Sequence, residues 1–302
     1  MTRPFSRFLA AAVSVAIVAH SVAAVDVTVP LTPPSGAQNL ASTLVSFSIE
    51  QDRWPDWVGT DSPNEFTNAA LSNFAALTGT PPKIRVGADS EDHSFWSPTV
   101  TINEDLFPPP NTITPFPEAT QITVGDEYYA LSRFLPSGTH MVWGVNFGAD
   151  NATNAVNMAK SIIKAFASSA VKAANVILDR IEVGNEADLY KNNGLRPSNW
   201  TVDQYVPDWE NIAGAVVAAV GISGRNGPVS IQGAAFANQG FTPRQIFSRG
   251  ILNSTAGKAI SVYVDACPNG CEPKADAPIV AFHSTTTRPR SVTEATSLSC
   301  RS

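Results

Sequence analysis

Cysteine is almost missing from this chain: Cys267, Cys271 and Cys300 are the full complement, and all three fall in the tail. An odd number confined there excludes a disulfide framework for the body. Cys267 and Cys271 with His283 have a faintly zinc-like spacing, but no second pair accompanies them, so no metal is assigned and no cofactor is expected. Charge is sparse as well, at 15% of residues, and acids outnumber bases 26 to 20. That balance excludes binding to nucleic acid by counterion release. No Gly-rich phosphate loop follows the first strand-like run, which removes support for a nucleotide-binding sheet. Nor does any apolar run reach the ~20 residues that span a bilayer. What remains is an ordinary globular composition, 43% hydrophobic over 302 residues, enough for a sizeable core in one large or two small domains.

The amino terminus reads as a secretory leader over residues 1–24. Arg3 and Arg7 precede an apolar stretch from Phe8 to Ala19, and Ser21-Val22-Ala23-Ala24 supplies the small residues a signal peptidase needs. Its removal takes the net charge from −6 to near −8. The expected product is a secreted, extracellular protein with no membrane association after cleavage. Sequons at Asn151, Asn199 and Asn253 fit a eukaryotic glycoprotein.

From there the sequence alternates. A β-branched run, Thr43 to Glu50, is followed by Asn64 to Leu77, where Phe66, Ala69, Ala70 and Phe74 recur at helical spacing before Gly79. The pattern returns as strand Lys83 to Gly87 with a helix around Glu127 to Phe134, and strand His140 to Phe147 with helix Ala152 to Ala170. Strand Arg180 to Val183 precedes helix Val202 to Val220, strand Val229 to Ala234 precedes a short helix Pro243 to Ile251, and Ala259 to Val264 makes a possible sixth strand. Strands that read apolar throughout are buried on both faces, which predicts a parallel sheet covered by helices, an α/β fold. Glu50, Asp89, Asn146 and Glu186 each stand at or just past the carboxyl end of a strand. That is where an eightfold (β/α)8 TIM barrel assembles its site, and the barrel is preferred over a doubly wound sheet on this ground.

The segment Ile181-Glu182-Val183-Gly184-Asn185-Glu186-Ala187-Asp188-Leu189-Tyr190 is the most informative. A strand ending in Gly-Asn-Glu places a carboxyl group at the barrel mouth beside a neutral amide. Asn185 could hydrogen-bond a sugar hydroxyl, while Glu186, partly desolvated, could serve as a general acid toward a glycosidic oxygen. Both could instead cap the next element. Trp54, Trp57 and Trp96 lie in loops where aromatic faces stack on sugars or simply pack. His93 and His140 have no catalytic partner in sequence, and Asp188 and Tyr190 are placed to shape the mouth.

Gly184-Asn185-Glu186 resembles the acid/base signature of clan A glycoside hydrolases. With Ser46-Phe47-Ser48-Ile49-Glu50-Gln51-Asp52-Arg53-Trp54 and Ile84-Arg85-Val86-Gly87-Ala88-Asp89-Ser90-Glu91-Asp92, the likeness is to family 79, the fungal β-glucuronidases related to heparanase, over about residues 40 to 260. The resemblance implies retaining hydrolysis of β-linked glucuronic acid from glycans or conjugates, with Glu186 as acid/base, Asn185 on the sugar 2-hydroxyl, and Glu50 and Asp89 holding the sugar. The expected partner is thus a glucuronide-containing carbohydrate.

Two departures stand out. Gly87-Ala88-Asp89 and Ala187 replace the family's Gly-Gly-Asn/Thr and its Pro. The family's nucleophile, a carboxylate at the end of the seventh strand and ~5 to 5.5 Å from the acid, is not found. The expectation is therefore five to six βα units over residues 25–265 and an irregular tail over 266–302, from a gene model that leaves frame after about Val262 or from a natural short form. On the same expectation, the family's carboxyl-terminal β-sandwich is not part of the 302 residues. Such a chain is expected to be inactive, its alternatives being a secreted carbohydrate-binding protein without catalysis or a fragment that does not fold.

Overall fold

A computed structural model of the chain describes residues 42–264, except 44, 222–229 and 238–239, together with 280–282 and the isolated residues 32 and 35. The leader and the cysteines lie outside the described residues. Contacts divide the chain into Met1–Asn39 and Leu40–Ser302, and every helix and strand among the described residues belongs to the second unit.

Among the described residues there are ten strands: β1 (Phe47–Glu50), β2 (Ile84–Gly87), β3 (Ser94–Trp96), β4 (Asn103–Leu106), β5 (Gln121–Val124), β6 (His140–Val145), β7 (Ile177–Val183), β8 (Ser230–Phe236), β9 (Ile260–Val264) and β10 (Val280–Phe282). The helices are α1 (Trp54–Val58), α2 (Glu65–Thr78), α3 (Asp126–Ala130), α4 (Ala152–Ala167), α5 (Ser169–Ala174), α6 (Tyr190–Asn193), α7 (Val202–Val220) and α8 (Pro243–Ser248). Seven strands form one parallel sheet in the order β1-β2-β6-β7-β8-β9-β10, with helices in the connections. Spatial order follows chain order without the reversal that defines a doubly wound sheet, so the choice against a nucleotide-binding topology stands. Among the described residues no pairing joins β1 to β10.

Three details differ from the sequence reading. The sheet has one strand more than was counted: Val280–Phe282 pairs in parallel with β9, inside the stretch that shows no strand period. Three residues are too short for periodicity to register. Between β2 and α3 the chain also makes a small second sheet, order β3-β5-β4, with β4 antiparallel to β5. Lastly, α2 turns its face: Phe66 is 84% exposed, while Thr67 and Leu71 are buried.

Local chemistry explains the helix ends. Asn64 caps α2 by accepting from the amides of Phe66 and Thr67, and Gly79 closes it in the left-handed region at φ 83°. Asn151 caps α4, and Thr201 with Gln204 forms a capping box on α7. The core lies between sheet and helices: Met141, Trp143 and Val145 of β6, Ile181 and Val183 of β7, and Ile231 of β8 pack with Met158 and Ile162 of α4 and Trp209, Ile212 and Val216 of α7. No helix among the described residues is long and apolar enough to cross a membrane.

Candidate active site

Glu50 is the last residue of β1, and its Oε2 accepts from the backbone amide of Ser90 at 3.0 Å and from the Ser90 hydroxyl. That hydroxyl in turn accepts from the amide of Gln51 at 2.6 Å. The turn after β2 is thereby tied to the end of β1. Burial raises the Glu50 pKa; the Ser90 bonds oppose the rise, and the charges of Asp89 and Asp52 add to it.

Asp89 opens a short 3-10 turn, Asp89–His93, directly after β2. To reach it the chain passes through Ala88 at φ 61°, ψ −156°, a region that glycine occupies without strain and alanine does not. The family's glycine at this place has its reason here. Asp89 Oδ1 accepts from Asn185 Nδ2 at 2.8 Å, which joins the ends of β2 and β7.

Gly184 cannot carry a side chain. Its φ is 83°, and an added Cβ would stand 2.7 Å from the Phe147 side chain and 2.9 Å from the Tyr190 hydroxyl. The turn it makes buries Asn185, whose Oδ1 accepts from Arg85 Nη2 at 2.8 Å. Glu186 follows, half-buried and in the left-handed region at φ 45°. A non-glycine residue held there is strained, and such strain persists only where the surroundings impose it. Glu50, Asp89, Asn185 and Glu186 thus stand together at the carboxyl ends of β1, β2 and β7.

Asn146, the fourth strand-end residue singled out, has a structural part. Its side chain donates to the Ser94 carbonyl at 2.9 Å and accepts from the Ala149 amide at 2.8 Å. The three tryptophans expected in loops stand in elements and pack: Trp54, in α1, is fully buried against Trp143 and donates to the Tyr128 carbonyl, Trp57 of the same helix stacks on Trp54, and Trp96, at the end of β3, donates to Asp126. His140 pairs with Asp179 at 2.7 Å at the opposite end of the strands, where Lys83 also meets Asp179 at 2.8 Å. Asp188 accepts from the Ala237 amide at 3.0 Å, tying the turn after β7 to the end of β8.

Two groups of acids were not singled out by sequence. Glu118, in the loop before β5, has its pKa raised to about 7 by burial and by the charges of Glu50, Asp89 and Asp52. It therefore belongs to the mouth. Its loop is held there by Ala119 N donating to Asp52 at 2.8 Å and by Arg53 donating to the Pro117 carbonyl at 2.5 Å. The second group is buried. Asp92 accepts from the amides of Phe147 (3.0 Å), Gly148 (2.8 Å) and Asn185 (3.2 Å) and from the Tyr190 hydroxyl (2.5 Å). Burial nevertheless raises its pKa to about 6. Glu91 and Glu182 lie in the same interior with Arg85. A run Asp89-Ser90-Glu91-Asp92 looks like a solvated turn, and only the fold shows that its last two acids point inward.

No protein-family model matches the chain. A β-glucuronidase of Aspergillus niger is 32% identical over 183 residues, covering 59% of this chain and 32% of the relative. One of Neurospora crassa is 27% identical over 192 residues, covering 62% and 33%. The match therefore takes in about a third of the length of these curated relatives. In fold the chain is similar to the crystal structure of a 4-O-α-L-rhamnosyl-β-D-glucuronidase from Fusarium oxysporum, in a complex with Rha-GlcA. The TM-score is 0.58 at 21% identity, over 80% of this chain and 48% of that one. The chain is thus similar, over 59 to 62% of its length, to two fungal β-glucuronidases, the kind of enzyme its motifs resemble.

Proposed function

We propose that this chain carries the acid/base half of a retaining β-glucuronidase site, with Glu186 as the general acid/base and Asn185, Glu50 and Asp89 as ligands of the sugar in the cleavage subsite. The observation that carries the reading is the placement of these four residues at one end of a parallel sheet, with Asn185 linked to Asp89 and Glu50 anchored on Ser90. The sheet is read as seven strands of an eightfold barrel, because its strands succeed one another in chain order. Glu50, Asp89 and Glu118 offer acceptors, which suits the hydroxyl edge of a sugar and repels a carboxylate. A glucuronate would therefore present its hydroxyls to this wall and its carboxylate away from it.

Catalysis follows from position. Glu186 protonates the glycosidic oxygen as the leaving group departs, then deprotonates the water that releases the sugar. The second carboxylate a retaining enzyme needs is not assigned. In sequence β10 is followed by His283 and Ser284 rather than by an acid. That favours a second reading, carbohydrate binding without turnover, which keeps the same ligands. For localisation we propose secretion, on the strength of the Arg3/Arg7 leader pattern and of three sequon asparagines, Asn151, Asn199 and Asn253, that are all exposed.

The test is to purify the full chain from a secreting host and measure release from aryl β-glucuronides with good and poor leaving groups. Glu186→Gln should abolish turnover of the poor-leaving-group substrate and spare the better one, which needs little protonation. Undiminished hydrolysis of the poor one refutes the assignment. Binding of glucuronide without turnover by the unaltered chain selects the second reading.

A further inference from the structure

Beneath the mouth two glutamates share one arginine. Arg85, on β2, donates from Nε to Glu182 Oε1 at 2.8 Å and from Nη2 to the same oxygen, while Nη1 reaches Ser48 at 2.9 Å. Glu182, on β7, also accepts from Gln232 of β8. Its carboxylate is thus served by three N–H groups. Glu91 has no such provision. It is wholly buried, neither of its oxygens meets a donor among the described residues, and Arg85 Nη2 stands 3.8 Å away. The space it fills is made for it: Gly87 and Gly144 lie under its carboxyl group, and a Cβ at Gly144 would come within 2.5 Å of Glu91 Cδ.

Two buried carboxylates beside one guanidinium would leave an uncompensated negative charge in the interior, which is among the costliest arrangements a fold can hold. A proton removes it. Glu182 stands within hydrogen-bonding reach of Glu91, so a proton on Glu91 supplies the donor that its surroundings lack and has an acceptor waiting. We propose that Glu91 is a positioning residue: it stays protonated at neutral pH, shares that proton with Glu182, and thereby leaves Arg85 Nη2 bound to Asn185. The last step follows from the geometry of Nη2, whose two hydrogens serve Glu182 and Asn185. An ionised Glu91 would compete for them.

With Arg85, which has no acceptor, on its Oδ1, the Asn185 amide can turn only its N–H side to Asp89 and the mouth. Whatever atom of a ligand meets Asn185 must then be an acceptor. The charged or titratable groups facing Glu91 are Arg85 from β2, Glu182 from β7, Asp92 from its own turn and Tyr190 from α6. Burial, Glu182 and Asp92 all favour its neutral form, and Arg85 alone opposes them.

The second half of this inference rests on the sugar-binding reading above; the first does not. The experiment is infrared difference spectroscopy of the full chain and its Glu91→Gln variant at about pH 7.5, where the subtraction removes the carboxyls raised only to about 6 or 7. One carbonyl stretch of a protonated carboxyl group should persist in the wild type and vanish in Glu91→Gln, the neutral isostere. A wild-type spectrum with no such band overturns the proposal even if the variant does not fold, as does a band unchanged in Glu91→Gln. Calorimetric titration with a glucuronide then tests the link to Asn185. Wild-type affinity should fall by about tenfold when Glu91 is forced to ionise at alkaline pH, while Glu91→Gln holds its affinity over the same range. Equal pH dependence in the two proteins refutes the positioning role. A band that behaves as expected in a chain that binds no glucuronide supports the shared proton and sinks the functional reading instead.

Discussion

Replacing Asp92 by Asn tests the energetics of the interior directly. The carboxyl is fully buried, and its pKa rises from 3.8 to about 6 because burial outweighs four hydrogen bonds. A raised value favours the protonated form in the folded state. The associated stability is complete below the unfolded value, declines as the unfolded chain ionises, and is lost once pH has risen through about 6. A shift of roughly two units corresponds to about 3 kcal/mol across that window. Asn cannot ionise. Its Oδ1 can still accept from Phe147 and Gly148, whose amides share one oxygen of Asp92, and the Tyr190 hydroxyl can turn to accept from Nδ2. The amide of Asn185 loses its acceptor, at a cost of about 1 to 3 kcal/mol. Asp92→Asn is therefore expected to be the less stable protein near pH 4 and to draw level with the wild type, or pass it, by pH 7. Urea melts of both proteins across this range measure the difference, and taking it cancels the other titrating groups. A difference that stays constant with pH, or widens toward neutrality, would refute the claim that burial dominates at this site.

Other outcomes follow from single positions. Ala88→Gly relieves a residue held at φ 61°, ψ −156° and should raise stability by about 1 kcal/mol despite the greater freedom of the unfolded chain; a lower melting temperature would argue against strain there. Gly144→Ala drives a methyl group into the Glu91 carboxyl and should cost about 3 kcal/mol or more in urea melts, so a loss under about 1 kcal/mol would mean that Glu91 is not lodged over Gly144. Asn64→Ala removes the acceptor for two amides at the start of α2 and should cost about 1 kcal/mol in urea melts. A loss under about 0.3 kcal/mol would mean that the cap contributes nothing there.

How far the sequence could be read follows the range over which each feature is determined. Strands β1, β2, β6, β7, β8 and β9 showed themselves as largely apolar or β-branched runs, because a parallel strand covered on both faces carries few polar residues, and those it does carry here, Arg85, Glu182 and Gln232, pair with one another. Gly184-Asn185-Glu186 and the acids at positions 50 and 89 were legible for the same reason: they stand where such runs stop. The sheet β3-β5-β4 was not legible. Its strands are three or four residues long, carry Glu104 and Asp105, and sit among prolines that mark a loop. The apolar face of α2 was misread at Phe66 because spacing fixes which residues share a face but not which face turns inward.

The run Asp89-Ser90-Glu91-Asp92 shows why burial of charge escapes local reading altogether. A 3-10 turn spaces side chains about a third of a turn apart, so consecutive residues point in different directions. Asp89 reaches Asn185, Ser90 reaches Glu50, Glu91 enters the interior over Gly87 and Gly144, and Asp92 gathers the amides that follow β6 and β7. Each fate depends on partners some 40 to 100 residues away in the chain: Glu50 on β1, Gly144 on β6 and Asn185 after β7. Viewed alone, three acids in four residues belong in water, where self-repulsion and hydration favour exposure. Once the sheet brings Arg85 and Glu182 into the interior and the turn brings in Glu91, the same acids become the cross-ties of the strand ends. The side chains at the mouth are therefore held from below, and the order of that inner layer, more than the surface loops, decides which atoms of Asn185 and Asp89 are left to face outward.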